Sequence, residues 1–160
     1  MLKGINPILT GELLLALDGT GHHDTIAVVD GNFPALSKAG IHPVVTITGH
    51  TVHEVVAAVL EVVPVSRGGY ISGDHKSLTE KPMAREFESL MQCHGPMRSD
   101  LSFSPRQFYK EASKAAVIIA TRDPRHWGCF LLTRGVLPDP AVDEHETSAL
   151  AEFGHSSEHE

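Results

Sequence analysis

Short apolar runs alternate with helix-like segments along most of the chain. Four such runs, each four or five residues long and bounded by turn-forming residues, lie at 25–29, 44–47, 117–120 and 129–132. Runs of this length and composition predict strands that are buried in a sheet. Because helical segments separate them, the pattern predicts an α/β fold in which helices cover the sheet.

Two segments carry the sequence signature of a helix start. Thr51 stands three residues before Glu54, which is the spacing of a capping box, and an apolar segment follows. Ser104, Pro105 and Gln107 occupy the residue types preferred at the N-cap and at the first and third helical positions. Further helices are predicted at 12–17 and at 79–93, the second ending before Gly95.

The charge of the chain is unevenly distributed. Of its 160 residues, 41% are hydrophobic and 21% charged, which fits one globular domain, and the formal net charge is −7. Residues 139–160 hold seven acidic residues and no Lys or Arg, so the preceding part is balanced. A domain with equal numbers of acidic and basic residues has no excess positive charge with which to bind nucleic acid or an anionic membrane. We expect a domain over 1–140 and a disordered acidic, His-containing tail over 141–160.

The sequence also indicates a cellular compartment. Its apolar runs are much shorter than a bilayer-spanning helix, and its first residues lack the apolar core of a signal peptide. The two cysteines, Cys93 and Cys129, cannot form a disulfide framework. A cytoplasmic protein is therefore expected.

Polar side chains flank the first predicted strand. His22 and Asp24 precede it and Asp30 follows it. Polar groups at strand ends of α/β sheets commonly bind ligands, although His22 and Asp30 could meet only if a loop folded back. The alternative interpretation is structural, with His22 as a helix C-cap residue and Asp30 as a turn former.

Other candidate sites have weaker sequence support. His50 and His53 could form half of a metal site, but no third ligand is evident, and no metal is expected. Cys129 near His126 could be a nucleophile, but a cysteine that opens an apolar strand is more often buried and inert.

Residues from both ends of the domain form a recognisable combination. The N-terminal part contains Pro7, Glu12-Leu13-Leu14, Gly21-His22, Asp24, Asp30 and Phe33-Pro34-Ala35. The C-terminal part contains Phe108-Tyr109, Ala112, Lys114-Ala115, Ile119, Gly128, Leu131-Leu132 and Gly135-Val136. In order and spacing this combination resembles the RbsD/FucU family of L-fucose mutarotases and D-ribose pyranases.

The resemblance implies a fold, an activity and an assembly. It implies a three-layer α/β/α domain with a mixed sheet, and cofactor-free interconversion of the anomers of L-fucose or a related aldose. His22 would be the general acid/base, because an imidazole titrates near neutrality and can serve both directions of the equilibrium. Asp30 would anchor the sugar or orient the imidazole. Members of the family form homo-oligomeric rings in which neighbouring chains line each site.

This sequence departs from the family at several positions. Trp127-Gly128-Cys129 stands where the fucose branch has Tyr-Gly-Asn, and these three residues are the expected sugar-binding segment. Arg106 is the expected basic sugar-binding residue, because Pro105 occupies the position that aligns with the family's basic residue. Residues 67–74 lack the apolar strand usual in the family, so no strand is predicted there.

Three functional classes therefore stay open. The first is a monosaccharide mutarotase, and the second is a catalytically weak sugar-binding or regulatory protein on the same scaffold. The third is a metal-dependent hydrolase or lyase that uses some of the eleven histidines.

Overall fold

A computed structural model describes residues 2–72, 82–94 and 98–137. The predicted tail over 141–160, the domain limit at 140, the helix start at 79 and the stop at Gly95 lie outside these residues. The elements follow in the order α1 (Gly11–Asp18), β1 (Thr25–Val29), α2 (Ala35–Ala39), β2 (Val44–Ile47), α3 (Val52–Leu60), β3 (Val65–Ile71), α4 (Pro82–Cys93), β4 (Arg98–Phe103), α5 (Pro105–Ala112), β5 (Val117–Thr121) and β6 (Phe130–Arg134).

The six strands form one mixed sheet in the order β2-β5-β1-β6-β3-β4. Strand β1 is parallel to β5, and β5 is parallel to β2. Strand β6 runs antiparallel to both of its neighbours, β1 and β3, whereas β3 and β4 are parallel. The carboxyl ends of β1 and β5 therefore share one edge of the sheet with the amino end of β6.

Helices cover both faces of the sheet, as predicted. Successive residues of β1 point to opposite faces because the side-chain period of a strand is two. Ile26 and Val28 pack in a core with α1, α3 and α4, whereas Ala27 and Val29 pack in a second core with α2 and α5. The three-layer α/β/α architecture with a mixed sheet is confirmed. Within the described ranges, every helix is too short or too polar to cross a membrane.

Both predicted helix starts are confirmed as capping boxes. The backbone N–H of Glu54 donates to Thr51 Oγ1 at 3.3 Å, and the N–H of Thr51 donates to Glu54 Oε2 at 2.7 Å. Ser104 and Gln107 make the same reciprocal pair at the start of α5, with Pro105 at the first helical position. These caps fix where α3 and α5 begin beside the sheet edge.

The absence of a strand over residues 67–74 was a wrong prediction, because β3 occupies Val65–Ile71. The glycines there indicate close packing. A Cβ on Gly68 would lie 2.7 Å from both Phe87 Cζ and Met91 Cε. Side chains of α4 therefore fill the space that a β3 side chain would occupy, and the strand needs no apolar run of its own.

Candidate functional site

The candidate site lies at the sheet edge where β1 and β5 end. Asp30 directly follows β1, and the loop over residues 122–129 leads from β5 to β6. Because β1 lies between β5 and β6 in the sheet, this loop crosses the end of β1. The crossing brings Trp127, Gly128 and Cys129 next to Asp30, as the sequence prediction of a shared site requires.

The carboxylate of Asp30 holds the two segments together. It is buried, and its Oδ1 accepts hydrogen bonds from the backbone N–H groups of Asn32 at 2.9 Å and Phe33 at 3.1 Å. Its Oδ2 accepts from the N–H of Gly128 at 3.1 Å. A carboxylate offers about four acceptor positions, and the Cys129 thiol, which also hydrogen-bonds to the Asp30 side chain, takes the fourth. Asp30 is thus a turn former, as in the structural interpretation, and also a wall of the site.

The loop is locally strained at Trp127. This residue has φ 69°, a left-handed conformation that is costly for a bulky side chain. The next residue can only be small, because a Cβ on Gly128 would lie 2.8 Å from Met83 Cε and 3.1 Å from Val52 Cγ1. The bond from Gly128 to Asp30 and this tight packing together hold the backbone next to Trp127 in place.

A cavity of about 170 Å³ opens beside Asp30. Its other lining residues are Asn32, Phe33, Ile71, Tyr109, His126, Trp127 and Cys129. The Phe33 and Tyr109 rings meet edge to face with centroids 5.2 Å apart, and Trp127 keeps 39% of its surface exposed. Aromatic walls with few polar groups are typical of a small-molecule site, and aromatic rings suit the apolar face of a sugar.

Cys129 contributes a neutral thiol to this cavity. Burial, reinforced by the charge of Asp30, raises the pKa of the Cys129 thiol far above its ordinary value. A thiolate is therefore strongly disfavoured at neutral pH, and the thiol lacks the property that a nucleophile needs. The inert interpretation of this cysteine fits the structure better than the nucleophilic one.

His22 lies at the opposite edge of the sheet from Asp30, and it is not a helix C-cap, because Gly19 caps α1. It belongs to the turn over residues 21–24, where the N–H of Asp24 donates to the carbonyl of Gly21 and His23 has φ 70°. Strand β1 separates this turn from Asp30 by about 16 Å, at 3.3 Å per residue. In a single chain the loop does not fold back, so His22 and Asp30 do not meet.

Arg106 does not line the cavity. It is exposed in the first turn of α5, three residues before Tyr109, which does line the cavity. The sequence prediction missed Phe33, Tyr109 and His126 as site residues. Phe33 and His126 lie in the loops that follow β1 and β5, and that position was the available signal.

Asp123 is a buried residue that anchors the same loop. Its carboxylate accepts hydrogen bonds from the N–H of Val52 at 3.0 Å and from Arg125 Nη2 at 2.8 Å. Its carbonyl accepts from the N–H of Gly31 at 2.9 Å. Hydrogen bonds from the Arg125 side chain hold the pKa of Asp123 at about 2, below the ordinary 3.8. Asp123 therefore ties the loop to α3 and to the turn after β1.

His50 and His53, the two residues of the possible half metal site, make other contacts. His53 Nε2 lies 3.0 Å from the carbonyl of Met83, and its Nδ1 lies 3.0 Å from Glu86 Oε2. Burial lowers the pKa of His53, and the ring also borders an open groove of about 650 Å³ between α3 and α4. His50 is exposed near Glu54. Within the described parts of the chain, no three His, Cys, Asp or Glu side chains are grouped to hold a metal.

The fold and site define an α/β protein with a small aromatic cavity at the carboxyl edge of its sheet. Comparison with known proteins narrows this class. The family model described as the RbsD / FucU transport protein family matches residues 3–137. The chain belongs to the RbsD/FucU family.

Individual relatives agree with this assignment. Fucose mutarotase of Homo sapiens is 30% identical over 145 residues, which cover 85% of this chain and 94% of the relative. The crystal structure of FucU from Bifidobacterium longum has a TM-score of 0.76 at 28% identity, covering 85% of this chain and all of that one. The fucose mutarotase of Streptococcus pneumoniae, solved with L-fucose, shares the fold with a TM-score of 0.75 at 23% identity and covers 86% of this chain and 100% of its own.

Proposed function

We propose that this chain is an isomerase of the mutarotase and pyranase type, which interconverts the anomers of L-fucose or a related aldose without a cofactor. The cavity beside Asp30 carries the proposal, because it combines aromatic walls with a fixed carboxylate at one point. Family membership and the fucose mutarotase relatives support the reaction class. Two free cysteines fit a reducing cytoplasm.

The proposed reaction opens and recloses a hemiacetal ring. One group accepts the proton of the anomeric hydroxyl while the bond between the anomeric carbon and the ring oxygen breaks, and a second group protonates the ring oxygen. The free aldehyde rotates, and the ring closes on its other face with the proton transfers reversed. Asp30 accepts a hydrogen bond from a sugar hydroxyl in exchange for the weak one from the Cys129 thiol, and Trp127 stacks on the apolar face of the ring. Arg106 donates to a hydroxyl from the cavity rim.

His22 is proposed to act in the site of a neighbouring copy. The separation of His22 from Asp30 by the length of β1 supports a site built from two chains. A second cavity of about 380 Å³ also borders Asp30, on the side of α2, and leaves the site open to a neighbour. Leu36 on α2 is 84% exposed and Ile41 after it is 97% exposed, which suits burial in a ring-shaped homo-oligomer.

The second candidate is a sugar-binding or regulatory protein with little catalytic activity. Cys129 favours this candidate, because a neutral buried thiol is a weak hydrogen-bond partner where the fucose branch has an amide. Trp127 likewise donates one hydrogen bond but cannot accept one as a phenol does. Measurement of sugar binding and of anomer exchange on the same sample separates the two candidates.

Saturation-transfer NMR on L-fucose and D-ribose, with and without the protein, tests the proposal. We expect faster exchange with the wild type and loss of most of the acceleration in His22→Gln, which keeps hydrogen bonding but removes proton transfer. Mixed oligomers of His22→Gln and Asp30→Asn chains should regain up to about a quarter of the rate, because one interface in four pairs two intact residues. Binding without any acceleration would leave the sugar-binding candidate. Full exchange in His22→Gln would remove His22 from the mechanism.

A further inference from the structure

We propose that His126 is the second proton-transfer group of this site. The inference rests on the proposed mutarotase function and adds a catalytic residue to it. Ring opening needs one group at the anomeric hydroxyl and another at the ring oxygen, and His22 supplies one of them. The second group has to line the cavity beside Asp30, where the sugar ring would lie.

The other polar groups of the cavity suit this role poorly. The Asp30 carboxylate accepts hydrogen bonds from the N–H groups of Asn32, Phe33 and Gly128, so its role is to hold the loop. Burial keeps the Cys129 thiol protonated, because it raises the pKa of that group. Tyr109 also lines the cavity, but a phenol ordinarily has a pKa about three units above neutrality, so it suits proton transfer in both directions less well than an imidazole.

His126 provides the missing chemistry. Of the residues that line the cavity, it is the one that carries an imidazole, the side chain whose ordinary titration lies nearest neutrality. It is exposed as well as lining the cavity, so it can exchange protons with water between turnovers. A group of this kind can donate in one direction of the reaction and accept in the other.

Its position is fixed from both sides. On one side, Arg125 is tied to the buried carboxylate of Asp123 by Nε at 3.1 Å and Nη2 at 2.8 Å. On the other side, Trp127 leads into Gly128, whose N–H donates to Asp30. The loop therefore holds the His126 backbone in place at the cavity, as a proton-transfer group requires.

The test compares His126→Gln with the wild type in L-fucose exchange by saturation-transfer NMR and in L-fucose binding by titration calorimetry. We expect exchange to fall about 100-fold or more, while the binding constant changes less than about threefold. His94→Gln is the matched control, because His94 is exposed directly after α4 and does not line the cavity. If His126→Gln does not fold, as judged by the emission of Trp127 and by circular dichroism, His126→Asn takes its place.

Exchange in His126→Gln within about threefold of the wild type would overturn the inference, and so would a loss of binding in proportion to the loss of exchange. These outcomes differ from failure of the proposed function. If the wild type does not accelerate exchange, the function and this inference both fail. If His22→Gln is inactive and His126→Gln is active, only the inference about His126 fails.

Discussion

Replacing Asp123 by Asn should destabilise the protein in a pH-dependent way. The substitution keeps the size of the side chain but removes the negative charge of the carboxylate that accepts hydrogen bonds from Val52 and Arg125. The carboxylate is only 3% exposed, so solvent screens its contacts weakly. The Arg125 hydrogen bonds that lower the pKa of Asp123 from 3.8 to about 2 stabilise the folded state by the same free energy. At 1.36 kcal/mol per unit, this amounts to about 2 kcal/mol.

The pH dependence has a definite direction. Because the pKa of the folded state lies below that of the unfolded state, the contribution is complete above about pH 5 and is lost as the pH falls through 3.8 towards 2. Asp123→Asn should therefore be about 2 kcal/mol less stable than the wild type at pH 7, or about 6 °C lower in Tm. The difference should shrink towards zero near pH 2.

Urea unfolding at several pH values, at one fixed protein concentration, measures this difference. The emission of Trp127, the only tryptophan in the chain, follows the loop that Asp123 anchors, and circular dichroism follows the whole fold. Glu111→Gln is the control, because it removes an exposed ion pair with Lys114 and should change stability by less than about 0.5 kcal/mol. A difference that stays constant from pH 7 to pH 2.5 would refute the role given to the charge of Asp123.

Two further predictions follow from packing and burial. Gly68→Ala should lower stability by about 1–3 kcal/mol in thermal unfolding, because its Cβ would overlap two side chains of α4. Gly11→Ala is the control, because its Cβ would meet open space and the change should be neutral or stabilising. Equal stability of the two variants would contradict the close packing. Iodoacetamide at pH 7.5 should label exposed Cys93 in the folded protein and reach buried Cys129 only in urea, as counted by mass spectrometry; rapid double labelling without urea would contradict the burial of Cys129.

Local chemistry made much of the fold predictable. The capping boxes at Thr51 and Ser104 are complete within four residues, so the sequence alone located the starts of α3 and α5. Strand β3 was missed because a glycine in it makes space for side chains of α4, and α4 is distant in sequence.

The site was only partly predictable for a similar reason. The resemblance to the family predicted that Asp30 and the segment around Trp127 share a site. The sequence could not show that Asp123 is buried, since the hydrogen bond from Val52 joins residues far apart in the chain. The sequence placed His22 and Asp30 at opposite ends of β1, but it could not show that the loop does not fold back, which depends on contacts such as the hydrogen bond from the N–H of His23 to the carbonyl of Arg134.

The strand order has a consequence for how the chain folds. Strand β1, the earliest to be synthesised, lies between β5 and β6, the last two, so Ile26 pairs with both Val117 and Leu132. Pairing between such distant parts of a chain slows folding, because a long loop must close before any contact forms. During synthesis β1 therefore stays without these neighbours until the chain has been made as far as β5 and β6. The cavity beside Asp30 forms where these early and late segments join, so sugar binding would report the completion of folding.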